Sequence, residues 1–313
     1  MSELLPEAVI LSRHLDPAAR KVLYARLHRS EVVRLHRGAY VESTLWQALE
    51  SGAQHRGRAL AVAIHFGEEF VFSHLSASAL WRLPCVGSWP TRPHVVGARS
   101  GGGHSAAAFV RHGVGVPEHI EAISGLSVTT LPATVVDVAA TVGFAHGVVV
   151  ADAALRRNDH PVANVPRTSL HPEQLARELA RIPWSHGSAK ALRVIEFADG
   201  RADRPGESMS RVSMHLAGVT APELQVRMLG ASGRAYVVDF WWPRFNVIGE
   251  FDGKFKYTDP RYMNGRTPEQ VLYDEKLRED DLRAAQHGFT RWPWATAVSP
   301  TLLRAHLGRA GVR

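Results

Sequence analysis

One cysteine, Cys85, in 313 residues excludes an intramolecular disulfide and any cysteine-built zinc ribbon, and makes a reducing, cytoplasmic compartment the expectation. A metal would have to be held by oxygen or histidine. Long apolar runs are missing too. The most apolar tract, TVVDVAATVGFAHGVVVADAAL, is broken by Asp137, His146 and Asp152, which marks buried helices rather than a membrane span. The opening MSELLPEAVI carries Glu3 and Glu7 and lacks the basic and apolar regions of a signal peptide. There is no internal repeat and no low-complexity segment.

Several catalytic signatures are absent as well. The glycine-rich RSGGGHS lacks the Gly-Lys-Ser/Thr ending of a phosphate-binding loop, and reads as a plain loop. Seventeen histidines are present, but no His-Glu-x-x-His. Ser73, His74 and Asp137 supply the residue types of a hydrolase triad without a Gly-x-Ser-x-Gly elbow, so Ser73 is read as a helix cap. Cys85, between Pro84 and Val86, reads as a small apolar residue rather than a nucleophile.

What is there is a globular composition, 45% hydrophobic, long enough for two or three domains. Lys and Arg outnumber Asp and Glu by 37 to 30, which favours a polyanionic partner. The excess is spread along the chain, with 15 of the basic and 12 of the acidic residues after position 204, so charge alone does not localise that partner.

Asp16 and Pro17 open a helix over 16–29. The extended EVVRLHRGAYV follows, with Gly38 at its turn and Arg34, His36 and Arg37 as a basic tip. A helix followed by a basic hairpin is the outline of a winged helix; a surface hairpin with solvated arginines fits these residues equally. Helices are expected over 45–65 and 73–83, strands near 95 and 110, and a helix capped by Thr130 with Pro132 in its first turn. After a proline-rich connector at 158–172 and helices near 173–181 and 188–198, FADGRADRPG marks the clearest boundary. Beyond it the pattern predicts a helix (207–217), strands (224–229, 234–242, 246–256), a helix (268–287) and a last strand (289–293). The expected architecture is therefore multidomain α/β (α+β), with domains at 1–65, 66–200 and 201–313.

The strands of YVVDFWWPRFNVIGEFDGKFKY carry the chemistry. With the turn centred between Arg244 and Phe245, Asp239 lies opposite Glu250 and one diagonal step from Asp252. Alternation puts Glu250, Asp252 and Lys254 on that same face. Like charges across a sheet repel unless something compensates. A magnesium or manganese ion with one lysine would do so, and the chemistry then indicated is metal-assisted phosphodiester hydrolysis. The plainer alternative is a solvated acidic face with Lys254 paired to Asp252.

The spacing D-x(12)-D-G-K, formed by Asp239, Asp252, Gly253 and Lys254, resembles the PD-(D/E)XK nuclease signature, with Val238 where a proline often stands. PGESMSR, EFDG, EKLREDDL and HGFTRWPW together resemble a small domain akin to very-short-patch-repair endonucleases. The resemblance implies a restriction-endonuclease-like fold in which Asp239, Asp252 and Glu250 hold the metal, Lys254 serves the attacking water, and Glu207, early in the first helix, joins the site. Glu207 would otherwise pair with Arg211 one turn on. Arg278 is placed to reach a phosphate, or to form an ordinary surface pair with Glu275.

RLHRGAYV, FSHLSASALWRLP and GLSVTTLPATVVDVA are similar to the bacterial AbiEi antitoxin family of type IV toxin–antitoxin systems. That resemblance implies a winged-helix domain contacting DNA through Arg34, His36 and Arg37, with a cognate toxin as a further partner. Two functions are therefore expected: a magnesium-dependent endodeoxyribonuclease, or a non-catalytic DNA-binding regulator.

Overall fold

The computed structural model describes residues 3–67, 70–97, 106–115, 117–181, 187–253 and 267–313. The chain divides into two compact units, Met1–Ala198 and Asp199–Arg313. The architecture is mixed α/β in both.

The first unit begins with β1 (Ile10–Leu11), α1 (Pro17–His28), β2 (Val32–His36), β3 (Ala39–Glu42), α2 (Ser43–Gln47) and α3 (Ser51–Phe66). Asp16 caps α1 by accepting from the Ala19 amide, and Pro17 occupies its first position. β1, β3 and β2 form an antiparallel sheet in that order. The single helix expected over 45–65 is two, because the chain is extended at Glu50, which starts α3 anew. The same unit continues through β4 (Val71–Phe72), α4 (His74–Leu80), β5 (His94–Val96), β6 (Val110–His112), β7 (Ile120–Ile123), β8 (Leu126–Thr129), α5 (Leu131–Thr141), α6 (Phe144–Leu155), α7 (Pro172–Arg181) and α8 (Ser188–Phe197). Its second sheet has the order β6-β5-β4-β8-β7.

The second unit runs α9 (Pro205–Leu216), β9 (Glu223–Leu229), β10 (Ala235–Trp242), β11 (Val247–Asp252), α10 (Pro268–Ala284), β12 (Gly288–Pro293), α11 (Trp294–Ala297) and α12 (Pro300–Arg309). Its sheet has the order β12-β11-β10-β9, antiparallel except that β12 runs parallel to β11. The parallel step follows from the α10 crossover between those strands. One core gathers Phe240, Trp242, Phe251 and Trp292 with Met214, Leu303 and Leu307 from α9 and α12; another gathers Val238, Ile248, Leu282 and Phe289. No helix among the described residues is long and apolar enough to cross a membrane.

Candidate functional site

The β10–β11 hairpin has the register its sequence predicts, with Phe240 opposite Gly249 and Trp242 opposite Val247. A short 3₁₀ turn over Pro243–Phe245 and a left-handed Asn246 close it. The ladder stops just before Asp239 and Glu250, the next opposed pair. Here Asp239 Oδ2 accepts the Phe251 amide hydrogen at 2.9 Å. On its other side the β9–β10 ladder pairs Val238 with Val226 and Phe240 with Leu224, skipping the position shared by Asp239 and Gln225. Asp239 thus lies where both ladders open.

The expected single acidic face is divided. Glu250 is buried, 2% exposed, and its carboxylate belongs to arginines: Arg278 Nη2 lies 2.6 Å from Oε1, and Arg291 Nη2 3.2 Å from Oε2. Arg278 also donates to the Val237 carbonyl. Its partner is therefore Glu250 rather than Glu275, which lies 3.5 Å from Arg291. Burial works against the Arg291 charge, but Glu250, Glu275, Glu279 and Asp252 around it raise its pKa above the usual guanidinium range. Asp252, at the end of β11, has one buried carboxylate oxygen, Oδ1, without a hydrogen-bond partner among the described residues. Lys254 lies outside the described residues.

Asp239 instead associates with Glu207. Pro205 starts α9 and puts Glu207 in its first turn, where the side chain is 2% exposed. The N-terminal backbone of the helix lies against the Phe251 ring: a Cβ on Gly206 would sit 2.1 Å from it. Glu207 Oε2 accepts two N–H groups, from the Asp203 amide and from Gln225 Nε2, each at 2.9 Å. Burial, and next the charge of Asp239, push the Glu207 carboxyl up to about 8. The partners expected from sequence did not include Gln225. Its signal was weak, since a glutamine in a half-buried strand is ordinary.

No protein-family model matches the chain. Two uncharacterized proteins of Mycobacterium tuberculosis, MT2308 and Rv2248, are each 29% identical to it over 148 residues, 47% of this chain and 51% of theirs. The match thus spans about half the length of these relatives, and their names carry no activity.

Can the carboxylates hold a divalent cation? Among the described residues no three His, Cys, Asp or Glu groups are placed to share a metal. Magnesium, however, is commonly bound through one or two carboxylates, with water and substrate phosphate completing its shell. Glu207 and Asp239 form such a pair, and their mutual repulsion is what a cation would relieve. Glu250 does not fit the ligand role, because both its oxygens lie against arginines.

In the first unit, the basic hairpin tip presents Arg34 and Arg37 to solvent. His36 is turned inward: its ring nitrogens lie 3.0 Å from the Arg37 carbonyl and 3.3 Å from that of Ala61 on α3, and the ring stacks on Phe66. It docks the hairpin onto α3 rather than extending the tip. α3 itself is largely buried, including Ala53, Arg56, Ala59, Ala61 and Val62. The exposed helix is α1, whose outer stripe is Ala18, Lys21, Val22 and Ala25, while Ala19, Leu23, Arg26 and Leu27 turn toward the sheet. Arg26 ties α1 to the hairpin through Glu31 at 3.1 Å and Glu42 at 2.7 Å.

Ser73, His74 and Asp137 do come together, but not as a relay. The Ser73 hydroxyl at 2.9 Å and an Asp137 oxygen at 3.8 Å both face the same nitrogen, Nδ1 of His74. A triad needs them on opposite nitrogens. Nor does the Ser73 side chain cap α4, although it holds the cap position. His74 has a left-handed backbone (φ +51°), and its ring stacks on His112, 3.6 Å between centroids. His94 Nδ1 lies 3.3 Å from His112 Nε2. Burial drives His74 well below the usual histidine range and His94 down to about 4, while burial and then Glu178 raise Asp137 to about 7. The RSGGGHS loop lies outside the described residues.

Proposed function

We propose that the second unit is a divalent-cation-dependent phosphodiesterase acting on nucleic acid, and that α1 and the Arg34–Arg37 hairpin of the first unit bind DNA. The observation that carries the reading is the buried Glu207 set beside the half-buried Asp239, where two strand ladders open. A buried carboxyl beside a second, half-buried one loses hydration and meets its repulsion, a cost retained where it serves binding or catalysis. Glu207 and Asp239 would hold magnesium or manganese, and Asp252, whose buried oxygen meets no hydrogen-bond partner among the described residues, stands at the strand end that would border the substrate. The cation would supply charge stabilisation for the attacked phosphate. The order helix, three antiparallel strands, helix, parallel strand supports the resemblance to PD-(D/E)XK nucleases. For the first unit, support comes from strand order β1-β3-β2 with an exposed helix before the hairpin, the arrangement in which a winged helix offers one helix to the major groove and a hairpin to the backbone.

One observation favours the regulator reading. Glu250 is committed to Arg278 and Arg291, which removes one expected ligand and leaves a nuclease-like scaffold that binds without cutting.

Incubation of plasmid, single-stranded and mismatched DNA with the purified chain, in magnesium or manganese against EDTA, separates the two. Cleavage that needs the cation and disappears in Asp239→Ala supports the phosphodiesterase. Salt-dependent binding without cleavage supports the regulator.

A further inference from the structure

The geometry points to Gln225 as a positioning residue for the candidate cation site, an inference that rests on the phosphodiesterase reading of the second unit. Gln225 lies within β9, yet its φ is +52°, a region that residues with a Cβ rarely enter and that strands do not use. Such strain persists only where the surroundings enforce it.

Two contacts show what enforces it here. The Gln225 amide donates to Glu207 Oε2 at 2.9 Å. The pairs on either side, Val226 with Val238 and Leu224 with Phe240, stay in register. The strand therefore continues while one residue is rotated out of the pleat toward α9. The ladder position skipped at Gln225 belongs, across the sheet, to Asp239, whose Oδ2 takes the Phe251 amide on the β11 side. One left-handed residue thus holds Glu207 and stands at the ladder gap opposite Asp239.

The consequence is atomic. With N–H groups of Asp203 and Gln225 both on Oε2, the Glu207 carboxylate is oriented, and Oε1 would be the oxygen that meets a cation. Partners that orient a metal ligand typically change affinity 10- to 100-fold when removed, though they never touch the metal. Gln225 holds that place for Glu207.

Two substitutions separate positioning from folding. Gln225→Ala removes the amide and keeps the backbone strain; Gln225→Gly removes both, since glycine adopts positive φ freely. Manganese affinity, read from free Mn²⁺ by electron paramagnetic resonance, requires no turnover. The expected result is binding weakened by about tenfold or more in both variants, while thermal melting ranks the glycine variant above the alanine variant. Affinity unchanged in both, or weakened only in Gln225→Ala in step with its melting temperature, overturns the positioning role and leaves the cation site standing. A wild-type chain that binds no manganese overturns the site and this role together.

Discussion

Glu250 Oε1 and Arg278 Nη2 lie 2.6 Å apart, with Arg291 on the other oxygen of the same carboxylate. The three residues belong to β11, α10 and β12, so one buried acid joins the crossover helix to both parallel strands. Replacing a buried partner leaves the opposite charges desolvated, at a cost of about 3–5 kcal/mol. Both arginines keep about a quarter of their side-chain surface exposed, which places Glu250→Gln below that range, at about 2–3 kcal/mol. Urea unfolding of the variant measures this. A melting curve matching wild type would show that the pairs contribute nothing to folding. Manganese affinity of the folded variant is expected to stay near that of wild type, because Glu250 is not offered to a cation.

The same pair shows where sequence reading succeeds and stops. The hairpin register follows from strand alternation and the position of PRFN and is seen, with Asp239 and Glu250 the next positions beyond the last recorded pair, Phe240 with Gly249. Alternation cannot say which charge a carboxylate meets once the ladders end. Arg278 and Arg291 are 28 and 41 residues from Glu250 along the chain, and only tertiary packing brings them there. The helices were readable because Asp16, Thr130 and the initial prolines act locally. Strands β1 and β4 were not, being two residues long, too short to show a period. Gln225 was hidden for a different reason: its positive φ is imposed by Glu207, and glutamine has no local preference for it.

Gly206 tests the seating of α9 on β11. A methyl group there would overlap the Phe251 ring, whose own amide is held by Asp239. A shift of the helix would carry Glu207 with it, and a shift of the Phe251 backbone would move the amide held by Asp239. Gly206→Ala is expected to destabilise by about 1–3 kcal/mol, as overpacked cores do, and to weaken manganese binding. A stable variant with wild-type affinity would show that α9 has room to move.

The two units should respond to pH in opposite directions. In the first, burial lowers His55 and His94 to about 4 and His74 further. Unfolded histidines take protons near 6.5, so this unit holds its full histidine contribution above that pH and loses it as pH falls toward 4. Asp137, raised to about 7, works the other way, as one carboxyl against three histidines. In the second unit, Glu207 is raised to about 8; its contribution is present below the unfolded carboxyl value and is lost as pH rises through 8. Hydrogen exchange of the whole chain, resolved by peptide, is expected to show protection falling in 70–140 on going from pH 6.5 to 4. In 203–229 protection should fall as pH rises from about 5 to 8. Parallel responses in both regions would refute the assignment.

The DNA-binding reading of the first unit makes a quantitative prediction. Arg34, Arg37 and Lys21 are exposed on the hairpin and the outer stripe of α1, whereas His36 is committed to the Ala61 carbonyl and the Phe66 ring. Each phosphate contact contributes about 0.9 to the slope of log affinity against log salt. Arg34→Ala, Arg37→Ala and Lys21→Ala should each weaken binding and flatten that slope by about one, with little change in stability because the side chains are solvated. His36→Ala is expected to do the reverse, lowering stability through the lost docking of hairpin on α3 and leaving the slope unchanged. Fluorescence anisotropy of a labelled duplex across a salt series reads both quantities. If Arg34→Ala, Arg37→Ala and Lys21→Ala all leave the slope intact, phosphates are not met by this face, and the basic hairpin is a solvated surface feature.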